Sequence, residues 1–311
     1  MIQLKSYMLI LFLLLTSICY GQDVNLKVDF SGNKIPEKIY FQNLIHNSRL
    51  DSIEFYNSKE FSTTITTVRN YQFFRLIVNN EKMLLIIQPG ENISVNYNTD
   101  IPLNSSISGS FESEILLSGL KLIANTDSTK LEAKLLKFIK LHPKALANIV
   151  LIEFLDFNKN FDFIKSISEQ LTQDVPAVNN LKDRILAHEI LKQGTKIQDF
   201  EIPNIENGKT VKPSDFQGND FSIIFFAAWN KKSLNYLQNY IKQYPNKKIM
   251  AISLDGDRQL LENEVKSIKN QQIVVCSEFK YFDSEIVNKF QITKLPFTIE
   301  INEKGIIQEV K

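Results

Sequence analysis

The stretch Phe221-Ser-Ile-Ile-Phe-Phe-Ala-Ala-Trp229-Asn230-Lys231-Lys232-Ser233 constrains the fold of this chain more than any other. Ser222 to Ala228 is an almost unbroken apolar run, the pattern of a central parallel strand covered on both faces. After Trp229 the spacing turns helical, with Leu234, Leu237, Tyr240 and Ile241 recurring at three and four residues. A buried strand therefore turns sharply at Trp229 into the first turn of a helix.

The residues that follow repeat the theme. Lys248-Ile-Met-Ala-Ile-Ser253 is a second apolar strand, followed by Asp255-Gly256-Asp257 and a helix expected from Leu260 to Ile268. Gln272-Ile-Val-Val275 is a short strand, and Ser284 to Phe290 a short helix. The segments ending at Ile301 and Val310 pair as a hairpin through Asn302-Glu-Lys-Gly305. Ahead of the central strand, Gly194-Thr-Lys-Ile-Gln-Asp-Phe200, a hairpin over Asn207 to Val211, and Pro213-Ser-Asp-Phe-Gln-Gly218 lead in. Strands alternating with helices, closed by a hairpin, predict an α/β sheet.

The earlier chain reads differently. From Asp23 to about Ile107 the signal is β, with alternation in Val24 to Phe30 and Asn92 to Tyr97. Phe73 to Val78 and Met83 to Ile87 flank Asn79-Asn80, a hairpin turn candidate. From Glu112 to Lys192 the period becomes helical, with helices expected over 131–139, 145–157, 161–171 and 178–191. The expected organisation is a β-rich domain over 22–111, a helical connector over 112–193 and an α/β domain over 194–311.

Residues 1–21 stand apart. Lys5 precedes the apolar run Tyr7 to Leu15, and Thr16-Ser-Ile-Cys19-Tyr-Gly21 ends on a small residue before Gln22. This predicts a secretory signal peptide cut after Gly21, with an apolar core short for a bilayer span. No transmembrane span is expected once it is removed, and the expected location is the periplasm or cell envelope. Cys19 also opens a lipoprotein reading, in which it becomes the lipidated N-terminus; Ile18 directly before it counts against that. With Cys19 removed, Cys276 is the mature chain's remaining cysteine, so no intramolecular disulfide can form.

Four features in order resemble TlpA/ResA-type thioredoxin-like proteins, which reduce disulfides in the bacterial envelope. They are Gly194 with Asp199-Phe200, Pro213-Ser-Asp-Phe-Gln-Gly218, Phe225-Phe-Ala-Ala-Trp229, and Leu295-Pro296-Phe297-Thr298. They cover about the final third of the chain. The resemblance implies a thioredoxin fold whose Cys-x-x-Cys positions hold Asn230 and Ser233, with Pro296 as the family's cis-proline and Leu295 as the residue whose backbone meets a peptide. Ile224 stands where thioredoxin has a buried acid. The chain stops at Lys311, directly after the last strand, where the family adds a closing helix, so one sheet face is expected to have less apolar cover. Leu50-Asp51-Ser52, Leu85 to Ile93 and Ile107-Ser-Gly-Ser110 resemble the β-rich domain of unknown function that often precedes thioredoxin-like domains in secreted Bacteroidetes proteins.

The two substitutions bear on chemistry directly. A redox dithiol needs a thiolate stabilised at a helix N-terminus and a second thiol to resolve the mixed disulfide. Asn230 has no nucleophile, and the Ser233 hydroxyl cannot form a disulfide. The first expectation is thus a protein-binding or peptide-binding module whose groove comprises Trp229, Asn230, Leu295 and Pro296. The second is a thiol-disulfide oxidoreductase working through Cys276 alone or with a partner thiol. A third is a structural assembly that acts through its N-terminal domain. Cys276 itself has two readings, a reactive lone thiol or a buried small hydrophobe.

Other chemistry finds little support. His46, His142 and His188 fall on different elements, and no metal-ligand spacing or Gly-rich phosphate loop appears, so neither metal nor cofactor is expected. Asp255 and Asp257 read as turn residues around Gly256. The formal charge is +1, with 43% hydrophobic and 23% charged residues, which gives no electrostatic case for nucleic acid.

Overall fold

The central strand of the C-terminal half shapes everything around it. In the computed structural model, residues 21–311 are described apart from 35, 45–47, 55–58, 69 and 269–271. Residues 1–20, with Cys19 and most of the expected signal segment, and His46 lie outside the described residues. The chain divides into two compact units, up to Leu181 and from Lys182 onward.

The first unit opens with eight strands: β1 (Gln22–Ser31), β2 (Lys38–Asn43), β3 (Ser48–Glu54), β4 (Glu60–Val68), β5 (Gln72–Val78), β6 (Glu81–Ile87), β7 (Asn92–Asn98) and β8 (Ser106–Ser108). They form two four-stranded sheets, ordered β4-β1-β7-β8 and β3-β2-β5-β6. Leu26, Val28 and Val95 of one sheet share a core with Phe74, Leu76 and Leu85 of the other. The alternation in β1 and β7 puts every second residue into that core. Asn79 and Asn80 join β5 to β6 with φ of 49° and 72°, the left-handed geometry that a two-residue hairpin demands and Asn tolerates. Strands β3 and β4 were not among the expected ones. Both lie at a sheet edge, where a strand needs no strong apolar pattern to find its place.

Five helices complete this region and lead into the next: α1 (Phe111–Ala124), α2 (Ser128–Leu141), α3 (Asn148–Leu151), α4 (Phe161–Ser168) and α5 (Pro176–Ile190). Ser113 Oγ accepts the Ile86 N–H at 2.9 Å and Ser110 Oγ donates to the Ile86 carbonyl at 2.8 Å, so hydroxyls fasten α1 to β6. The buried Glu112 carboxylate accepts the Ala147 N–H at 3.0 Å, and burial pushes its pKa up. The helix expected over 145–157 is not continuous. Asn148, Ile149 and Val150 bond three residues back rather than four, and Ile152–Phe154 is a 3₁₀ turn.

The second unit contains β9 (Ile202–Pro203), β10 (Thr210–Val211), β11 (Phe221–Phe226), α6 (Lys231–Gln243), β12 (Lys248–Ser253), α7 (Arg258–Val265), β13 (Ile273–Ser277), α8 (Glu285–Lys289), β14 (Phe297–Ile301) and β15 (Ile307–Val310). Its five-stranded sheet is ordered β13-β12-β11-β14-β15. Strands β11, β12 and β13 run parallel, while β14 and β15 close the sheet as an antiparallel hairpin. All six residues of β11 are buried. Phe221, Ile223 and Phe225 face a core with Phe216, Ile286 and Phe290. Ile224 and Phe226 face a second core with Leu234 and Leu237 of α6 and Leu261 of α7.

On the α6 side the sheet is finished by polar groups at the β14 position. Ser222 and Tyr240 both bond the Glu300 carboxylate, at 2.8 and 2.7 Å, and Lys247 pairs with it at 2.5 Å. Burial pushes the Glu300 pKa up, but hydrogen bonds from Lys247, Tyr240 and Ser222 outweigh it and hold the carboxyl below its ordinary 4.5. A carboxyl whose folded pKa lies below its unfolded value contributes stability above the unfolded value, and that contribution fades as pH falls through the folded one. In denaturant titrations Glu300→Gln should therefore be less stable than wild type at neutral pH, the gap closing on acidification below 4.5. A gap that stays constant with pH would show that the pair carries none of this linkage.

Candidate functional site

The turn after β11 is built from its own side chains. Asn230 caps α6: its Oδ1 accepts the Ser233 N–H at 3.1 Å, and its carbonyl accepts the Leu234 N–H. Ser233 is fully buried. Its Oγ accepts the Ala227 N–H at 3.1 Å and donates to the Asn230 carbonyl at 2.9 Å. The two residues at the positions assigned by resemblance to a dithiol thus spend their polar atoms closing the turn and the helix end.

Beneath the turn lies a carboxylate whose Asp255-Gly256-Asp257 context predicts a turn residue. Asp255 follows β12 and is fully buried. Its Oδ2 accepts the Ala228 N–H at 2.7 Å and the Ser253 hydroxyl at 2.7 Å, while Oδ1 is buried without a hydrogen-bond partner. Asp255 therefore anchors the residue just before Trp229 from the neighbouring strand. Asp257 does what its type suggests and caps α7 through the Leu260 N–H.

The register of the sheet collects the groove residues at one end of its strands. Phe297 of the antiparallel β14 faces Phe225, so the segment just ahead of it lies at the C-terminal end of β11. That segment contains Leu295 and Pro296, joined by a cis peptide. Trp229, Asn230, Ser233, Leu295 and Pro296 thus share one end of the sheet.

Cys276 is not with them. It pairs with Ile252 on β12, two strands from β11 and hence about 10 Å across the sheet. Its side chain is fully buried in the core of the face opposite α6, and burial pushes the thiol up to about 12. His142 lies against Phe138 in the first unit, while His188 is on the second-unit part of α5.

The sequence reading missed the loop between β13 and α8. Phe279 and Tyr281 take φ of 56° and 50°, a left-handed backbone that costs a non-glycine residue roughly 1–2 kcal/mol. Phe279 packs on the α6-side core under the Arg258 guanidinium, and its N–H bonds Ser277 Oγ. The Tyr281 ring lies so close over Gly256 that a Cβ there would meet it at 2.0 Å. Held this way, Tyr281 and Phe282 are 52% and 39% exposed, and the Phe282 ring stands 6.5 Å from that of Trp229, itself 46% exposed. The aromatic run Phe279-Lys280-Tyr281-Phe282, outside any periodic element, was the signal that could have found them.

A βα unit followed by a β-hairpin, in the order β12-β11-β14-β15 with β13 added at the edge, settles the architecture. The second unit has a thioredoxin-like fold. No family model matches the chain, and no curated protein matches it. Among solved structures it is similar to a thiol-disulfide oxidoreductase from Bacteroides fragilis, at 24% identity over 37% of this chain and 89% of that one, with a TM-score of 0.33. It is also similar to the thioredoxin domain of a thiol-disulfide oxidoreductase from Bacteroides vulgatus, at 18% identity over 39% and 89% of the two chains, TM-score 0.33. StoA from Bacillus subtilis matches at 22% identity over 37% and 87%, TM-score 0.29. Among the described residues no helix is long and apolar enough to cross a membrane.

Two measurements check this site. Asp255→Ala leaves the buried Ala228 N–H without its acceptor and should lower unfolding free energy by about 1–3 kcal/mol; denaturant unfolding reads the change, and wild-type stability would dismiss the anchor. Cys276 should resist a thiol-directed alkylating reagent in the native protein and react once it is unfolded. Equal labelling in both states would contradict the buried, proton-retaining thiol.

Proposed function

We propose that this chain is an envelope-located protein whose thioredoxin-like unit binds an extended protein segment and does not exchange disulfides. One observation carries the reading: Asn230 and Ser233 are committed to capping and closing the turn, in the two positions where thiols would have to act. In this reading residues 1–21 direct export, the β-rich segment 22–111 and the helices of 112–193 precede the binding unit, and residues 194–311 form it. The groove at the end of the sheet offers Trp229 and Asn230 on one side and the Leu295-Pro296 backbone on the other. A segment docked there in extended form can hydrogen-bond the Leu295 backbone, with side chains setting specificity.

The competing reading, an oxidoreductase acting through Cys276, is disfavoured by the thiol's place. A thiol held protonated in an apolar core is neither a nucleophile nor within reach of a docked disulfide. Insulin-disulfide reduction separates the two. Wild type should be silent, and Asn230→Cys/Ser233→Cys should gain activity on the same scaffold. Wild-type reduction abolished by Cys276→Ser would overturn the proposal. For binding itself, a displayed random-peptide library should enrich ligands on wild type that Trp229→Ala no longer holds; enrichment unaffected by that change would place binding elsewhere.

A further inference from the structure

Three features at the groove point to what kind of segment it takes, and the inference rests on the binding reading above. The first is an apolar platform. Trp229 and Phe282 are exposed with their rings 6.5 Å apart, and Tyr281, next to Phe282 in the chain, is exposed too, on a loop shaped by the left-handed residues Phe279 and Tyr281. Exposed aromatic surface gathered by a strained backbone is a place for a bulky apolar side chain to bury itself.

The second is a groove of about 360 Å³ that starts at Phe282 and ends at Thr293, two residues before Leu295. Its floor is Val287 and Ile292, and Asn288, Gln291 and Thr293 line it with amides and a hydroxyl. Such groups both donate and accept, which suits the alternating N–H and C=O of an extended backbone.

The third is charge. Lys231 and Lys232 follow Asn230 directly, Lys294 precedes Leu295, and Lys289 lies on α8 between groove residues; all four are exposed. None has an ion-pair partner among the described residues, whereas Lys280 pairs with Glu278. The positive end of α6 adds to them. Asp283 and Glu285 beside the groove offset only part of this, in a chain whose overall charge is +1. Two lysines in the first turn of α6 work against that helix's own dipole, so their placement has no stabilising role in the helix.

We infer that the occupant is an acidic, extended segment of another envelope protein, with a bulky apolar side chain seated on Trp229, Tyr281 and Phe282 and carboxylates facing Lys231, Lys232 and Lys294. Rim charges of this kind select a partner and hasten its arrival, and they weaken with added salt.

The test is fluorescence anisotropy with three synthetic peptides that share a central Phe and differ only in its flanking residues: Glu, Gln or Lys. The Glu peptide should bind about tenfold more tightly than the Lys peptide, a gap of about 1.4 kcal/mol that shrinks with salt. The surface variant Lys231→Glu/Lys232→Glu/Lys294→Glu, its fold checked by circular dichroism, should reverse the order, and Phe282→Ala should weaken all three. Equal binding of the three peptides, still lost in Trp229→Ala, would overturn the acidic partner and leave the groove reading standing. Binding of none, together with no Trp229-dependent enrichment from the displayed library, would overturn both.

Discussion

The C-terminal unit depends on keeping β11 out of water on both faces. Its six residues are buried, and an apolar strand of that kind is stable only with sheet neighbours on each side and a covering layer above and below. Parallel β12 and antiparallel β14 supply the neighbours. Helix α6 can cover one face only if the chain reverses immediately after Ala228, so the sharp turn at Trp229 follows from the burial demand. The turn's own polar groups must then be satisfied inside the protein. Asn230, Ser233 and Asp255 do this from three directions, one at the helix end, one inside the turn and one from the next strand.

Asn230 and Ser233 make a well-bonded helix start. Around it lie exposed aromatic surface and, among the described residues, lysines without an ion-pair partner. A turn made rigid by hydrogen bonds presents its outer surface in one fixed arrangement, which lowers the entropy lost when a ligand lands on it. The Cys276 thiol, meanwhile, packs as a small apolar group on the far face of the sheet.

Legibility in the sequence followed the range of the interactions involved. The β11–α6 turn could be read because period and polarity change within a few residues, and the Asn79-Asn80 hairpin because those residues suit the geometry locally. Asp255 could not: a Gly-Asp context signals a turn equally well at the surface or beneath another strand, and only the packing of β12 against β11 decides which. The Phe279–Phe282 loop escaped because its left-handed residues are aromatic rather than Gly or Asn, so nothing local marks the bend; distant contacts with Arg258 and Gly256 impose it. The helix expected over 145–157 failed for a related reason. Leu146, Leu151, Ile152 and Leu155 are buried, but tight turns bury them instead of one long helix.

Glu300 has an effect at a distance. It sits on β14 directly opposite Ser222, and both lie on the α6 side of the sheet. Slipping β14 by a single residue would turn the carboxylate toward the opposite, wholly apolar face and strand the Ser222 and Tyr240 hydroxyls. The ionised group therefore works as an alignment key: it excludes every neighbouring pairing of β14 with β11. Because Leu295 and Pro296 are carried at the other end of the same strand, that key also determines how far they stand from Trp229, and so the width of the groove is set at the opposite end of the sheet.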